Sequence, residues 1–203
     1  NGQRLADEGV MLSQSYSTCA LCSPSRAGCV TGRYPHQNGV QGLTGERSGG
    51  FAFHPGERHA AKLFTAANYE TVLCGFEHEA SHWETLGFQQ SICGSGTWHN
   101  GGGDLRTYAQ DISQWLAARD RQRPFFMQMG CGETHHPWLN QGVTPDQSLG
   151  ITVPPYLKDI PEVRAEMAEL QGSVRRLDEE MGRIVDAFDQ GAGPETIFVC
   201  TTD

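Results

Sequence analysis

The sequence predicts an α/β fold, in which helices cover both faces of a largely parallel central β-sheet to give an α/β/α sandwich. Three short apolar runs, rich in β-branched or aromatic residues, predict buried strands at residues 70–74, 124–130 and 196–200. Longer stretches with apolar residues at helical spacing predict helices at 104–119 and 162–190. Strands that alternate with helices favour parallel pairing, because each crossover packs a helix against the sheet.

The remaining elements can be placed between these. In chain order, the sequence predicts a short helix followed by a strand in residues 1–18, a helix in 58–67, and loops in 79–103. His99 is predicted to be a solvated loop residue. Asp104 is the predicted N-cap of the helix that follows it.

Length and composition describe an ordinary globular domain. The chain has 203 residues, 37% of them hydrophobic and 19% charged, which is enough for one domain with a sizeable core. A formal net charge of −9 at pH 7 argues against broad binding to nucleic acid, but it is compatible with a locally positive pocket for an anion. No apolar run approaches the ~18 residues of a transmembrane helix, so no membrane span is expected.

Cysteine usage leaves the redox compartment open. The seven cysteines are an odd number, and they are scattered along the chain. A full disulfide framework is not expected in a chain of this length. Cys19 and Cys22 form a C-x-x-C pair, which can mark a redox or zinc site, but no second C-x-x-C completes a zinc ligand set.

One stretch, residues 22–33, combines a thiol, a helix start and a guanidinium: Cys-Ser-Pro-Ser-Arg-Ala-Gly-Cys-Val-Thr-Gly-Arg. Ser23 is predicted to cap a short helix whose first position is Pro24. A helix N-terminus attracts an anion, and Arg26 can bind the same anion with two hydrogen bonds. Cys22 would then lie beside an anion site. The alternative is that Cys22 is a small buried apolar side chain, a common role for a single cysteine.

The pattern Cys-x-Pro-Ser-Arg, followed by Thr-Gly-Arg, resembles the signature of the type I sulfatases, which have an alkaline-phosphatase-like fold. The resemblance implies that residues 1–203 are part of a single catalytic domain. It also implies that a maturation enzyme oxidises Cys22 to formylglycine. The hydrated aldehyde would attack sulfur, form a covalent sulfo-enzyme and expel sulfate through its second hydroxyl. Residues 153–157 resemble a segment of heparan-N-sulfatase-like members.

Two histidines fall in motifs that resemble those of sulfatases. His78 matches the histidine of Gly-Lys-Trp-His, which touches the sulfate or the nucleophile in the family. Phe76 stands at the lysine of that motif, which removes a positive charge. His135 begins a His-x-Pro motif, whose histidine acts near the leaving-group oxygen as an acid or hydrogen-bond donor. His136 takes this place if the alignment slips by one residue.

The resemblance also implies a divalent metal, Ca²⁺ or Mg²⁺. Asp203 matches a metal-binding aspartate, and carboxylates suit such hard cations. The modified Cys22 would be a second ligand. Residues 1–10 resemble the segment after the family's first strand, so paired metal-binding aspartates are expected upstream of Asn1. The C-terminal part of the catalytic domain is expected after Asp203. We therefore expect the isolated chain to have little or no activity.

The implied function is hydrolysis of a sulfate ester or sulfamate, with a sugar sulfate as the expected substrate class. Two alternatives stay open: a phosphate or phosphonate ester hydrolase on the same scaffold, and an inactive sulfatase-like binding protein, which Phe76 favours. The expected partners are a sulfated small molecule or sugar and the maturation enzyme. Family members are often exported to the periplasm, the extracellular space or the lysosome, but the localisation of this protein is unknown.

Overall fold

The computed structural model describes residues 1–45, 49–97, 103–138 and 142–203, so His99 lies outside the described residues. The helices are α1 (Gly2–Glu8), α2 (Cys22–Thr31), α3 (Pro35–Asn38), α4 (Ala60–Ala66), α5 (Leu105–Ala118) and α6 (Pro161–Gly191), with a 3₁₀ turn at Trp83–Leu86. The strands are β1 (Glu70–Glu77), β2 (Gln90–Thr97) and β3 (Phe125–Gly130). None of the helices in the described part is long and apolar enough to cross a membrane.

The strands form one parallel sheet in the order β2-β1-β3. In the central strand, Val72 pairs with Gln90 on one side and with Met127 on the other. Between Cys74 and Phe76 the register with β2 shifts through a bulge. The parallel order confirms the predicted α/β class.

Helices cover both faces of this sheet. Because successive strand residues point to opposite faces, Val72 and Leu73 belong to different cores. Val72 packs with Ile112 of α5 and Phe188 of α6. Leu73 packs with Ala61 of α4 and with apolar residues that precede β2. The two cores confirm the α/β/α layers.

Helix α2 begins earlier than predicted. Leu21 is its N-cap and Cys22 is its first helical residue, so the prediction of Ser23 as N-cap and Pro24 as first position is wrong. Ser23 is buried instead, and its Oγ accepts the backbone N–H of Thr44 at 3.2 Å. The serine oxygen is therefore used to fasten the helix to the following loop. Gly32 ends the helix in a left-handed conformation with φ 65°.

Two predicted strands are not found among the described residues. The part of residues 1–18 that follows α1 makes no strand ladder. Residues 196–200 make none either, and Ile197 and Val199 are 87% and 82% exposed. A strand needs a neighbouring backbone to take its hydrogen bonds, and none of the described strands lies beside either segment. The apolar pattern alone is therefore misleading there.

The opposite error occurs at β2, because the sequence predicts loops for residues 79–103. This strand contains Gly94 and Gly96, which have low strand propensity. Its backbone pairs with β1 over most of its length, and that pairing overrides the local preference.

Two buried glutamates fix the turn that follows β1. Glu77 Oε2 accepts the backbone N–H groups of Glu79 at 2.7 Å and Ala80 at 2.9 Å. Glu79 accepts the backbone N–H of His78 at 2.8 Å and the side-chain amide of Gln128 at 2.6 Å. The second contact ties the turn to β3. The backbone around His78 is therefore determined by hydrogen bonds to two carboxyl groups that have no contact with solvent.

Burial also changes the ionisation of this region. Burial and, to a smaller extent, repulsion from the Glu79 carboxylate together raise the pKa of Glu77 to about 8. Burial lowers the pKa of His59, whose imidazole interacts with Glu79, to about 4. At neutral pH the folded protein therefore contains a protonated Glu77 and a neutral His59.

We predict that Glu77 makes the folded protein less stable as the pH rises from about 6.5 to 8. Folded Glu77 keeps its proton up to about pH 8, whereas the unfolded group loses it near its ordinary pKa of 4.5, so stability falls across that range. His59 acts in the opposite direction, but only up to its unfolded pKa of 6.5. Between pH 6.5 and 8, the free energy of unfolding of the wild type should therefore fall by about 1 to 2 kcal/mol more than that of Glu77→Gln.

Urea unfolding at pH 6.5 and pH 8 measures this effect. Glutamine keeps a carbonyl oxygen for the N–H groups of Glu79 and Ala80, so the variant tests the proton and not the hydrogen bonds. Glu166→Gln, at an exposed position of α6, is the matched control and should behave as wild type. An equal pH dependence in wild type and Glu77→Gln would show that the idea is wrong.

Candidate active site

The candidate residues meet at the carboxyl edge of the sheet. In open α/β sheets, ligands bind outside the carboxyl ends of the strands. β1 ends one residue before His78, and β3 ends five residues before His135. Arg26 reaches the same edge from α2, where its guanidinium carbon lies 5.0 Å from the centroid of the Phe76 ring.

Arg26 connects α2 to both strand ends and to Asp203. Its Nε lies 2.5 Å from Oδ2 of Asp203 in an ion pair. The side chains of the two residues are only 21% and 30% exposed, so solvent screens this pair less than a surface pair. At the end of β3, a Cβ built on Gly130 would lie 3.3 Å from Nη1 of Arg26 and would clash with the carbonyl oxygen of Phe76. The glycine therefore leaves room for the Phe76 carbonyl oxygen, and it keeps the approach to the guanidinium open.

Phe76 has a clear structural role at the position where the resemblance leads one to expect lysine. Its ring offers a negative π face to Arg26, an arrangement that attracts a cation. A lysine there would instead place a second positive charge beside the guanidinium. Phe76 thus leaves the site without the positive charge of a lysine, and its ring orients the guanidinium of Arg26.

Cys22 is the first residue of α2 and is partly buried. Residues four apart on a helix lie on the same face, so Cys22 and Arg26 are neighbours along α2. The first turn of a helix has backbone N–H groups without intrahelical partners, and these favour negative charge. Position 22 therefore combines an anion-stabilising helix end with a guanidinium one turn away.

His78 is fixed through its backbone on both sides. Its N–H donates to Glu79, and its carbonyl oxygen accepts the hydroxyl of Thr44 at 3.1 Å. The backbone N–H of Thr44 in turn donates to Ser23 Oγ, next to Cys22. Two hydrogen bonds, both made by Thr44, thus link the turn after β1 to the first turn of α2.

His135 is exposed in the turn after β3, where its backbone N–H donates to the carbonyl oxygen of Gly132 at 2.7 Å. Its Nδ1 lies 2.6 Å from the carbonyl oxygen of His136. A carbonyl only accepts, so Nδ1 carries a proton and Nε2 is the acceptor nitrogen of the neutral ring. To donate from Nε2, His135 must be an imidazolium. His136 instead packs edge-on against the Trp138 ring, with 5.0 Å between centroids.

The sequence-based candidates are thus only partly joined by direct contacts. Arg26 and Asp203 touch, and Thr44 links the backbone of His78 to the side chain of Ser23, the residue after Cys22. His135 shares the sheet edge with them. Sequence reasoning missed Thr44 and the two glutamates around His78. Acidic residues directly after a buried strand were an available signal, because a buried carboxylate requires hydrogen-bond donors; nothing local marked Thr44.

The described residues fit a divalent cation only in part. Within the described ranges, no group of three or more His, Cys, Asp or Glu side chains is placed to hold a metal ion. Asp203 supplies one carboxylate, and that carboxylate is paired with Arg26. These residues alone therefore do not make a complete calcium or magnesium site.

Comparison with known proteins identifies the family of this chain. The sequence profile of the Sulfatase family matches residues 2–203. N-acetylglucosamine-6-O-sulfatase of Bacteroides thetaiotaomicron is 30% identical over 154 residues, which are 68% of this chain and 26% of that protein. Human N-sulphoglucosamine sulphohydrolase is 24% identical, over 98% of this chain and 44% of that protein. The chain therefore spans less than half the length of these relatives.

Solved structures show the same fold. One, from a study of glycosaminoglycan metabolism by Bacteroides thetaiotaomicron, superposes with a TM-score of 0.67 at 19% identity, over 88% of this chain and 48% of that chain. Another, in complex with its substrate D-glucosamine-2-N,6-O-disulfate, gives a TM-score of 0.63 at 19% identity, over 93% of this chain and 56% of that chain. These structures share the parallel α/β/α fold with this chain. Because the family profile also spans nearly every residue, this chain belongs to the sulfatase family.

Proposed function

We propose that the protein containing this chain hydrolyses a sulfate ester or sulfamate carried by a sugar. Family membership supports the reaction class. Two relatives are named for sulfated glucosamines, and one structural neighbour was solved with a sulfated glucosamine as substrate. The observation that carries the proposal is the position of Arg26. It lies one helical turn after Cys22 and is oriented by Phe76 and Asp203 at the edge where His78 and His135 emerge.

Each residue has a distinct role in this proposal. Cys22, oxidised to formylglycine by a maturation enzyme, supplies the oxygen nucleophile that attacks sulfur. Arg26 and the first N–H groups of α2 stabilise the negative charge on the sulfate oxygens. His78 donates a hydrogen bond to the sulfate. His135, as an imidazolium, donates a proton or a hydrogen bond from Nε2 to the leaving-group oxygen.

The metal is the least complete part of the proposal. Asp203 is proposed as one carboxylate ligand of Ca²⁺ or Mg²⁺, and the modified Cys22 as another. The other ligands would come from parts of the protein other than the described residues, so no chemical step is assigned to the ion. For the same reason we expect the isolated chain, as part of a single catalytic domain, to turn over little or no substrate.

A second candidate is a sulfatase-like protein that binds sulfated sugars without hydrolysing them. Phe76 favours this candidate, because it removes a cation from the site. The ring nevertheless orients Arg26, so the site keeps a guanidinium for the anion. Turnover of an aryl sulfate by the full-length protein separates the two candidates, and an aryl phosphate assayed in parallel tests the phosphatase alternative.

We predict that Cys22 carries the formylglycine modification in full-length protein produced with a maturation enzyme. The side chain would lose sulfur and two hydrogens and gain one oxygen. Mass spectrometry of the tryptic peptide Leu5–Arg26 measures this change, and Cys19 in the same peptide serves as an internal unmodified control. Cys19→Ser should leave the modification in place, whereas an unmodified Cys22 in a host that matures other sulfatases would argue against the assigned nucleophile.

We predict that Arg26→Ala lowers kcat/KM for an aryl sulfate by about 100-fold or more, because it removes the cation that stabilises charge in the transition state. Arg26→Lys should recover only part of the loss, since an ammonium lacks the planar fork. Arg164→Ala is the matched control, because Arg164 is exposed on α6 and pairs with Asp159, two residues before that helix begins. A kcat/KM of Arg26→Ala within a few-fold of wild type contradicts the proposal.

A further inference from the structure

Two cysteines outside the proposed site face each other between β1 and β2. Cys74 lies on β1 and Cys93 on β2, and both are buried in the core shared with α5 and α6. Both are thiols in the structure, with 2.7 Å between their Sγ atoms. The proposed sulfatase chemistry uses neither of them.

The backbone places the two residues at a suitable distance for a covalent bond. Cys74 pairs with Ile92, so Cys93 is one residue farther along the neighbouring strand. Strands about 4.8 Å apart with a rise of about 3.3 Å per residue put the two Cα atoms roughly 6 Å apart. Disulfide-bonded cysteines have Cα atoms about 4.4 to 6.8 Å apart.

An irregular backbone turns Cys93 toward its partner. On a regular strand, a one-residue offset would point the two side chains to opposite faces of the sheet. Cys93 instead has a φ of 64°, at the bulge where the register between the strands shifts. Such a φ is uncommon for a residue other than glycine. It brings the Cys93 sulfur to the face where the Cys74 side chain lies.

Close packing on both strands maintains this bulge. Gly75, directly after Cys74, has a φ of 79°, and a Cβ there would clash with the Tyr108 hydroxyl and the carbonyl oxygen of Gly130. A Cβ on Gly103 would clash with the carbonyl oxygen of Cys93. Neither strand can therefore shift easily to separate the two sulfur atoms.

We propose that Cys74 and Cys93 form a structural disulfide between β1 and β2 in the mature protein. The two thiols lose two protons and two electrons and form one S–S bond. A disulfide oxidant, either a thiol–disulfide oxidoreductase or oxidised glutathione, takes the electrons and is reduced to two thiols. The bond fixes β2, the strand that contains Gly94 and Gly96, to β1. On β1 it lies three residues before Glu77, where the turn that carries His78 begins.

The time of bond formation follows from the surroundings of the thiols. Burial raises the pKa of Cys74 far above its ordinary value, and the nearby thiol of Cys93 raises it further. Only the thiolate attacks a disulfide, so the folded, buried thiol reacts slowly. The bond therefore forms during folding, before α5 and α6 cover the strands.

Peptide mapping without reduction tests the bond directly. Full-length protein, exported to a bacterial periplasm or refolded with oxidised glutathione, is alkylated with iodoacetamide in denaturant before digestion. Trypsin alone leaves both cysteines in residues 63–106, so a glutamate-specific protease is added. We expect Thr71–Glu77 to be linked to the peptide that begins at Thr85 until a reductant is added. Alkylation of both cysteines before reduction, or linkage of either to another cysteine, would overturn the proposal.

Thermal unfolding provides a second test. A reductant should lower the Tm of the wild type by about 5 to 10 °C, the effect expected for a disulfide that closes a loop of this length. The Cys74→Ala/Cys93→Ala variant should show no such reductant dependence. Cys131→Ala, near the same core, is the matched control and should keep it. If the double variant does not fold, the peptide map of the wild type still decides, and a wild-type Tm that reductant leaves unchanged contradicts the proposal.

Discussion

The position of the Arg26 guanidinium is the constraint on which the site depends. Moving a cation from water into a partly buried place costs free energy unless opposite charge or a π face compensates. The Asp203 carboxylate and the Phe76 ring provide both kinds of compensation, from different parts of the chain. Because α2 is one rigid helix, fixing Arg26 at the edge of the sheet also fixes where the side chain at position 22 points.

A second constraint orients the turn after β1. The carboxyl oxygens of Glu77 and Glu79 accept the backbone N–H groups of this turn, and the Thr44 hydroxyl donates to the carbonyl oxygen of His78. These groups are distant in sequence from α2, yet Thr44 is also bonded to Ser23 in its first turn. The helix that carries Cys22 and the turn that carries His78 are thus held by the same short network.

The sequence predicted those helices and strands whose own residues carry a recognisable apolar pattern. α4, α5 and α6 were predicted because each has apolar residues at helical spacing, and β1 and β3 because each contains a short apolar run. The strand predicted at 196–200 lacks a neighbouring strand among the described residues, and β2 was missed because Gly94 and Gly96 conceal its pairing with β1. Strand formation depends on a partner that a single segment does not contain.

The candidate site shows the same limit. Its residues could be named from short motifs, because each motif is contiguous. The contact of Arg26 with Phe76 and the path from Ser23 through Thr44 to His78 join segments far apart in the chain, and no local pattern encodes them. The replacement of lysine by phenylalanine could be interpreted from the sequence only as a lost charge, whereas the structure adds its contact with Arg26.

In the proposed site, Arg26 presents a sulfate group to the side chain at position 22. A crystal structure of the full-length Cys22→Ser protein, soaked with a sulfated glucosamine, would show where the sulfate binds. We expect the sulfur atom to face the hydroxyl introduced at position 22, with the Arg26 guanidinium and His78 on the sulfate oxygens. A sulfate bound away from the start of α2, with Arg26 still engaged only by Phe76 and Asp203, would contradict it.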